Sequence, residues 1–203
     1  MIYTSDIAFT ASVKAIQSRK GSRHAYHRME KNGSWQSKIT PELASFIRAQ
    51  RSFFLATANA AGQPYIQHRG GPKGFLRIID ESTLAFADFK GNQQFISQGN
   101  LQDNPKAFIF LIDYAKQTRV KIWCRATVLE NQPALLTELM PDPASYKARA
   151  EQIIKLTVTA WDRNCPQHIP VRYDQEDVEA LLKERDMRIS ALENQLRLFT
   201  SQK

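Results

Sequence analysis

Apolar positions recur at helical spacing near the N-terminus, alternate through the middle of the chain, and return to helical spacing at its end. Phe9, Val13 and Ile16 fall on one helical face, closed by Gly21, so Phe9 to Lys20 is predicted to be a short helix. A polar stretch follows to Lys38, with Trp35 the residue expected to anchor it to the body. Thr40-Pro41-Glu42-Leu43 has the form of a helix start, Thr40 as N-cap and Pro41 in the first turn. That helix should turn Leu43, Phe46 and Ile47 inward and end near Gln50.

The texture then becomes strand-like. Ser52 to Ala58 and Pro64 to His68 flank the turn Asn59-Ala60-Ala61-Gly62-Gln63, which predicts a hairpin. Gly74 to Ile79 and Thr83 to Ala87 predict a second, across Asp80-Glu81-Ser82, and Gly91 to Gln98 a helical turn. Lys106 to Asp113 and Arg119 to Glu130 read as long strands bridged by Tyr114 to Thr118, and Ile153 to Trp161 as a last strand. Between them Pro133 to Ala144 is turn-rich with room for a short helix. Five or six antiparallel strands joined by short turns, with few helices between them, predict a small barrel rather than a parallel sheet.

From Asp174 the pattern is helical to the end. Val178, Leu182, Arg185, Ile189, Leu192, Leu196 and Phe199 alternate at spacings of four and three, a heptad seam with one charged interruption. An amphipathic helix packed on the body and a short coiled coil both fit this pattern. Both require a partner surface, which a homodimer provides.

At 203 residues the chain is one domain with an appended element. The reading divides it into an N-terminal helical segment at 1–50, a barrel domain at 51–172 and a C-terminal helix at 173–203. No apolar run approaches a membrane span, no secretory signal opens the chain, and Cys124 and Cys165 are too few for a disulfide framework. These features predict a cytoplasmic protein. A formal charge of +8, much of it between Lys14 and Lys31, admits nucleic acid, a phosphorylated small molecule or plain solvation. No zinc-finger, RNP or basic-zipper spacing accompanies the charge, which leaves nucleic acid the weakest of the three.

The densest chemistry lies in Gln67-His68-Arg69-Gly70-Gly71-Pro72-Lys73-Gly74-Phe75-Leu76. Glycine N–H groups and an arginine fork in one turn suit a phosphate or other anion. A Gly/Pro hairpin with solvated charges would look the same.

Phe54-Leu55-Ala56-Thr57-Ala58 and Gly62 to Pro72, followed by Leu84 to Gln93, Gly99-Asn100-Leu101, Asn104-Pro105, Arg119 to Trp123 and Asn164 to Ile169, resemble the flavin-nucleotide-binding branch of the pyridoxamine 5'-phosphate oxidase-like proteins. The resemblance runs from about Phe9 to Arg172. It implies a six-stranded antiparallel split barrel of Greek-key type that dimerises and holds FMN at the subunit interface. With the amphipathic C-terminal helix read from the spacing, the expected fold class is mainly β with flanking helices (α+β). A flavin site needs cations and backbone donors at one end and a flat, largely apolar slot at the other.

Carried onto this sequence, the resemblance implies cofactor contacts from Arg69 and its neighbours Gln67, His68, Gly70 and Lys73. It also implies contacts from Ala87 and Asp88 and from the Lys90-Gly91-Asn92-Gln93 turn. The oxidases have a serine-arginine-lysine run where Gly91-Asn92-Gln93 stands, so phosphate contacts are expected to shift toward Arg69, Lys73 and Lys90. Arg119 occupies the place of a flavin-facing glutamine, where a cation would favour reduced flavin. The arginine-x-histidine that grips pyridoxine phosphate is absent, and Asn164-Cys165-Pro166-Gln167-His168-Ile169 stands there instead. Pyridoxamine phosphate oxidase activity is therefore not expected, and Asn164 and His168 are candidates to contact flavin or substrate.

Cys165 and His168 make half of a metal-ligand pair, but no second pair completes it, so no metal is expected. Cys165 as a thiol activated by Arg163 or His168 stands beside the plainer reading of a packing residue. Trp123 and Trp161 suit barrel core or dimer contact better than flavin stacking, and His24 and His27 suit a solvated helix or loop. The chain is thus expected to be an FMN-dependent oxidoreductase exchanging electrons with a small molecule. Alternatives are a flavin-binding sensor or carrier without turnover, a protein binding deazaflavin, and, less expected, a nucleic-acid-binding protein.

Overall fold

The computed structural model describes residues 3–144, 146–164 and 166–200. A 3₁₀ helix, Thr4–Ile7, leads into α1 (Ala11–Arg19), α2 (Arg23–Lys31) and α3 (Pro41–Ala49). α3 starts as its sequence dictates: Thr40 Oγ1 accepts from the Leu43 amide at 3.3 Å, Pro41 sits in the first turn, and Gln50 closes the helix. Leu43 and Ile47 are buried, and Phe46 packs against the same cluster.

α2 departs from the expectation of a polar connecting stretch. No apolar face marks it in the sequence, because charge holds it. The buried Glu30 carboxylate meets the Arg23 guanidinium, with His27 Nδ1 at 3.4 Å and Lys14 Nζ at 3.8 Å. Burial raises the Glu30 pKa, but hydrogen bonds from Arg23 and His27 and the charges of Arg23 and Lys14 outweigh it and leave the group below its ordinary value. Trp35 is the anchor the sequence suggested: it stacks on Trp123 and also meets the Phe9 ring, tilted, at 5.0 Å.

The body is one sheet of seven strands: β1 (Ser52–Ala58), β2 (Pro64–Gly70), β3 (Arg77–Asp80), β4 (Thr83–Phe89), β5 (Lys106–Asp113), β6 (Thr118–Leu129) and β7 (Ala150–Asn164). Their order is β2-β1-β5-β6-β7-β4-β3, so the chain crosses from β4 to lie beside β1. β1 pairs antiparallel with β2 and β5, β4 with β3 and β7, and β6 with β7.

This corrects the expected six-stranded barrel in two respects. The seventh strand is β3, four residues long and paired only along β4, with a register shift at Ile78/Asp80. The sheet also does not close, since β2 and β3 remain its edges. Residues 71–76 link β2 to β3 and send side chains into the main core. Phe75 and Leu76 are buried, and Phe75 stacks on Phe53 at 5.5 Å.

β4 is buried on both faces, which explains its unbroken apolar run. Leu84 and Phe86 enter the main core, whereas Ala85 and Ala87 pack with Leu139 of α5 (Pro133–Leu139) and with Ile153. The helix expected at Gly91 to Gln98 forms later, as α4 (Ile96–Asp103). Gln93 and Phe95 take left-handed φ of 59° and 52°, which breaks helical geometry ahead of it.

The chain divides into two compact units, Met1–Ile112 with Arg119–Cys165, and Asp113–Thr118 with Pro166–Lys203. In the second unit Gln117 Nε2 donates to the Ile169 carbonyl at 2.7 Å and the Arg172 guanidinium lies 4.8 Å from the Tyr114 ring centroid. It carries α6 (Gln175–Thr200), whose described side chains are exposed along its whole length. Among the described residues no helix is long and apolar enough to cross a membrane.

Candidate cofactor pocket at the sheet seam

β2 and β4 do not share a ladder, but Arg69 Nη1 donates to Asp88 Oδ1 at 2.5 Å. The other carboxylate oxygen, Oδ2, accepts from Gln152 Nε2 at 2.9 Å. Gln152 is the residue opposite Asp88 across the β4–β7 ladder, so sheet register sets that contact. The two ionic side chains are 15% and 11% exposed, and in such a setting an unsatisfied donor is costly. Arg69 Nε is buried and has no hydrogen-bond partner among the described residues.

Alternation along β2 puts Gln67 on the face that carries Arg69. Its Oε1 accepts from Ser97 Oγ, at the start of α4, at 3.0 Å. Gln67, Arg69, Asp88, Gly91, Asn92 and Gln93 therefore border one pocket, joined by Tyr65, the 94–98 segment, Glu151 and Gln152. The sequence did not single out Ser97, Glu151 or Gln152. Gln152 in particular reads as an ordinary polar strand position until the register is known.

The pocket holds about 50 Å³, against the roughly 300–1,000 Å³ typical of a whole small-molecule site. It can seat the edge of a ligand. Its charges are one guanidinium against the Asp88 and Glu151 carboxylates, and amide side chains supply most of the remaining polar groups. Amides donate and accept, which suits hydroxyls and ring carbonyls. Arg69 offers the cationic donor for a phosphate or a ring oxygen, but shares its charge with Asp88. The residues present thus fit the uncharged polar portion of FMN and one anionic contact, and they enclose only part of it.

The other predicted site residues lie elsewhere. His68 is exposed on the opposite face of β2, edge-on to Phe54 at 5.6 Å, and Lys73 and Lys90 are exposed outside the pocket lining. A Cβ on Gly70 would come 3.2 Å from His68 Cε1, and one on Gly71 would come 2.6 Å from Phe75 Cγ. Gly71 thus lets the backbone pass over the Phe75 ring. Ala87 points into the α5 cluster, away from Asp88. Arg119 and Asn164 face each other across the β6–β7 ladder, and Arg119 Nε is also buried without a partner among the described residues. Gln152 and Asn164 stand near opposite ends of β7, whose 15 residues at ~3.3 Å each extend roughly 45 Å. His168 is exposed in the second unit with φ 64°, and Cys165 lies outside the described residues.

The tryptophans serve packing. Trp123 is covered by Trp35 and Phe108, and Trp161 Nε1 donates to the Lys38 carbonyl at 2.8 Å. Burial pushes the Cys124 thiol up to about 12.

The family model described as pyridoxamine 5'-phosphate oxidase matches residues 39–165, a span that contains all seven strands and the pocket. The chain belongs to the pyridoxamine 5'-phosphate oxidase-like family. Among solved structures, HupZ of Group A Streptococcus is 19% identical over 66% of this chain and 99% of its own, with a TM-score of 0.51. A histidine-to-alanine variant of the same streptococcal protein gives 18%, 62%, 99% and 0.51 in the same order. An FMN-binding protein from Syntrophomonas wolfei subsp. wolfei gives 10%, 73%, 97% and 0.49. The HupZ likeness is one of fold. No curated protein matches the chain.

Proposed function

We propose that this protein is a cytosolic homodimer that binds FMN at the subunit interface and acts as an FMN-dependent oxidoreductase on a small molecule. The observation that carries the reading is the buried, unpartnered Nε of Arg69, a side chain that lines an amide-rich pocket. FMN bound there would supply hydride and electron transfer at its ring. Arg69 would donate to an anionic or carbonyl oxygen of the cofactor, and Asp88 would hold the guanidinium in that orientation. Gln67, Asn92 and Gln93 would pair with ribityl hydroxyls and exclude water from them.

A pocket of about 50 Å³ needs a second wall. Arg119 and Asn164 lie toward the far end of β7 from Gln152 and do not border this pocket. A second copy arranged about a two-fold axis would bring its Arg119 end to this pocket, where a cation stabilises reduced flavin.

The test is the absorption spectrum of the purified protein before and after adding FMN, with the chromophore identified by mass. Bands near ~370 and ~450 nm, weakened in Arg69→Gln, are expected. NADH- or NADPH-dependent bleaching would support turnover, whereas retention without reduction by any donor would leave a flavin carrier or sensor. A protein that takes up deazaflavin and not FMN would replace the cofactor, and one that binds neither would overturn the reading.

A further inference from the structure

α6 extends about 39 Å at 1.5 Å per residue, with Val178, Leu182, Ile189, Leu192 and Leu196 all exposed. An apolar stripe of this length is unstable in water without a partner, and the helix's own charges select one. With Leu182, Ile189 and Leu196 at heptad position a, the d positions are Val178, Arg185 and Leu192. Glu179, Asp186 and Glu193 then occupy e, and Arg188 occupies a g position.

An antiparallel pair would set e against e, acid facing acid along its length. A parallel pair sets g of one heptad against e of the next, which brings Arg188 to Glu193 of the second copy. We propose that α6 forms a parallel, in-register two-stranded coiled coil with α6 of a second copy of this chain. Arg185 is its one charged core layer, compensated by Asp186, whose Oδ1 accepts from Arg185 Nη2 at 3.1 Å and from Nε at 3.3 Å. A charged d layer lowers stability while fixing register. The proposal does not depend on the flavin reading, and dimerisation through the sheet alone would leave the two tails unpaired.

The experiment uses the full chain with Cys165→Ser, comparing Leu192→Cys on the seam with Ser190→Cys on the outer face. Under copper-phenanthroline oxidation the Leu192→Cys protein should form a disulfide dimer about tenfold faster than the Ser190→Cys protein. Adding Arg185→Leu should carry the Leu192→Cys adduct to lower protein concentration. Equal rates at 190 and 192, as expected of unpaired tails, would overturn the proposal. So would the absence of a 192–192 adduct, the result expected if α6 docks on another surface, or an adduct unaffected or weakened by Arg185→Leu.

Discussion

Trp35 lies flat on Trp123, ring centroids 4.6 Å apart and planes 18° from parallel. Trp35 belongs to the N-terminal segment and Trp123 to the middle of β6, so the pair fastens the helices to the sheet. Lys121 Nζ sits 5.5 Å from the Trp35 ring and 5.6 Å from that of Trp123, while forming a 2.8 Å ion pair with Asp162. Trp35→Ala removes the stack and the seat of this cation. It should cost about 2 kcal/mol in chemical denaturation and should raise proteolytic cleavage within 3–38 ahead of cleavage in the strands.

The same segment should respond to acid. A carboxylate whose folded pKa is depressed contributes stability that is present above its unfolded value, near 4.5 for Glu30, and lost as pH falls through the folded value. Arg23, His27 and Lys14 face Glu30, and the Asp6 carboxylate joins through Lys14 at 2.6 Å. Glu30→Gln should lower stability at pH 7 by roughly 1–3 kcal/mol. Urea midpoints of wild type and variant, well separated at neutral pH, should converge below pH 4.5.

Which parts of this fold were legible follows from what carries them. α3 was readable to the residue because its cap, its proline and its apolar face are local chemistry. α2 was not, because its stability comes from Glu30 meeting Arg23 within the helix and Lys14 of α1 across from it, and such a charged cluster leaves no apolar periodicity. The edge strand β3 was expected at Gly74 to Ile79 but begins only at Arg77 and runs to Asp80, and the expected count of five or six strands fell short of seven. At the pocket, Gln67, Arg69 and Asp88 could be named from sequence, whereas Gln152 enters only through the β4–β7 register.

Gly71 illustrates how one motif divides between packing and chemistry. Its missing side chain makes room for Phe75, which stacks on Phe53, itself edge-on to Phe86 at 5.2 Å. A methyl group there overlaps the ring, so Gly71→Ala should lose about 1–3 kcal/mol by forcing Phe75 out of its place. A thermal melt would read this directly. Alanine at Gly91, where an added Cβ meets nothing within 4 Å, should leave the melt unchanged.

Asp88 offers the sharpest test of the pocket's electrostatics. Its carboxylate neutralises Arg69 from 2.5 Å and is itself held by Gln152, so the guanidinium meets any incoming anion with its charge already matched. Asp88→Asn keeps the shape and removes the negative charge. If Arg69 is the anionic contact of FMN, this variant should bind FMN several-fold more tightly in a fluorescence-quenching titration, with a steeper salt dependence. Arg69→Gln should weaken binding by about tenfold or more. If Asp88→Asn instead weakens FMN as much as Arg69→Gln does, the carboxylate itself accepts from a ribityl hydroxyl. The Arg69–Asp88 pair would then act as one donor–acceptor clamp rather than as a cation and its counter-charge.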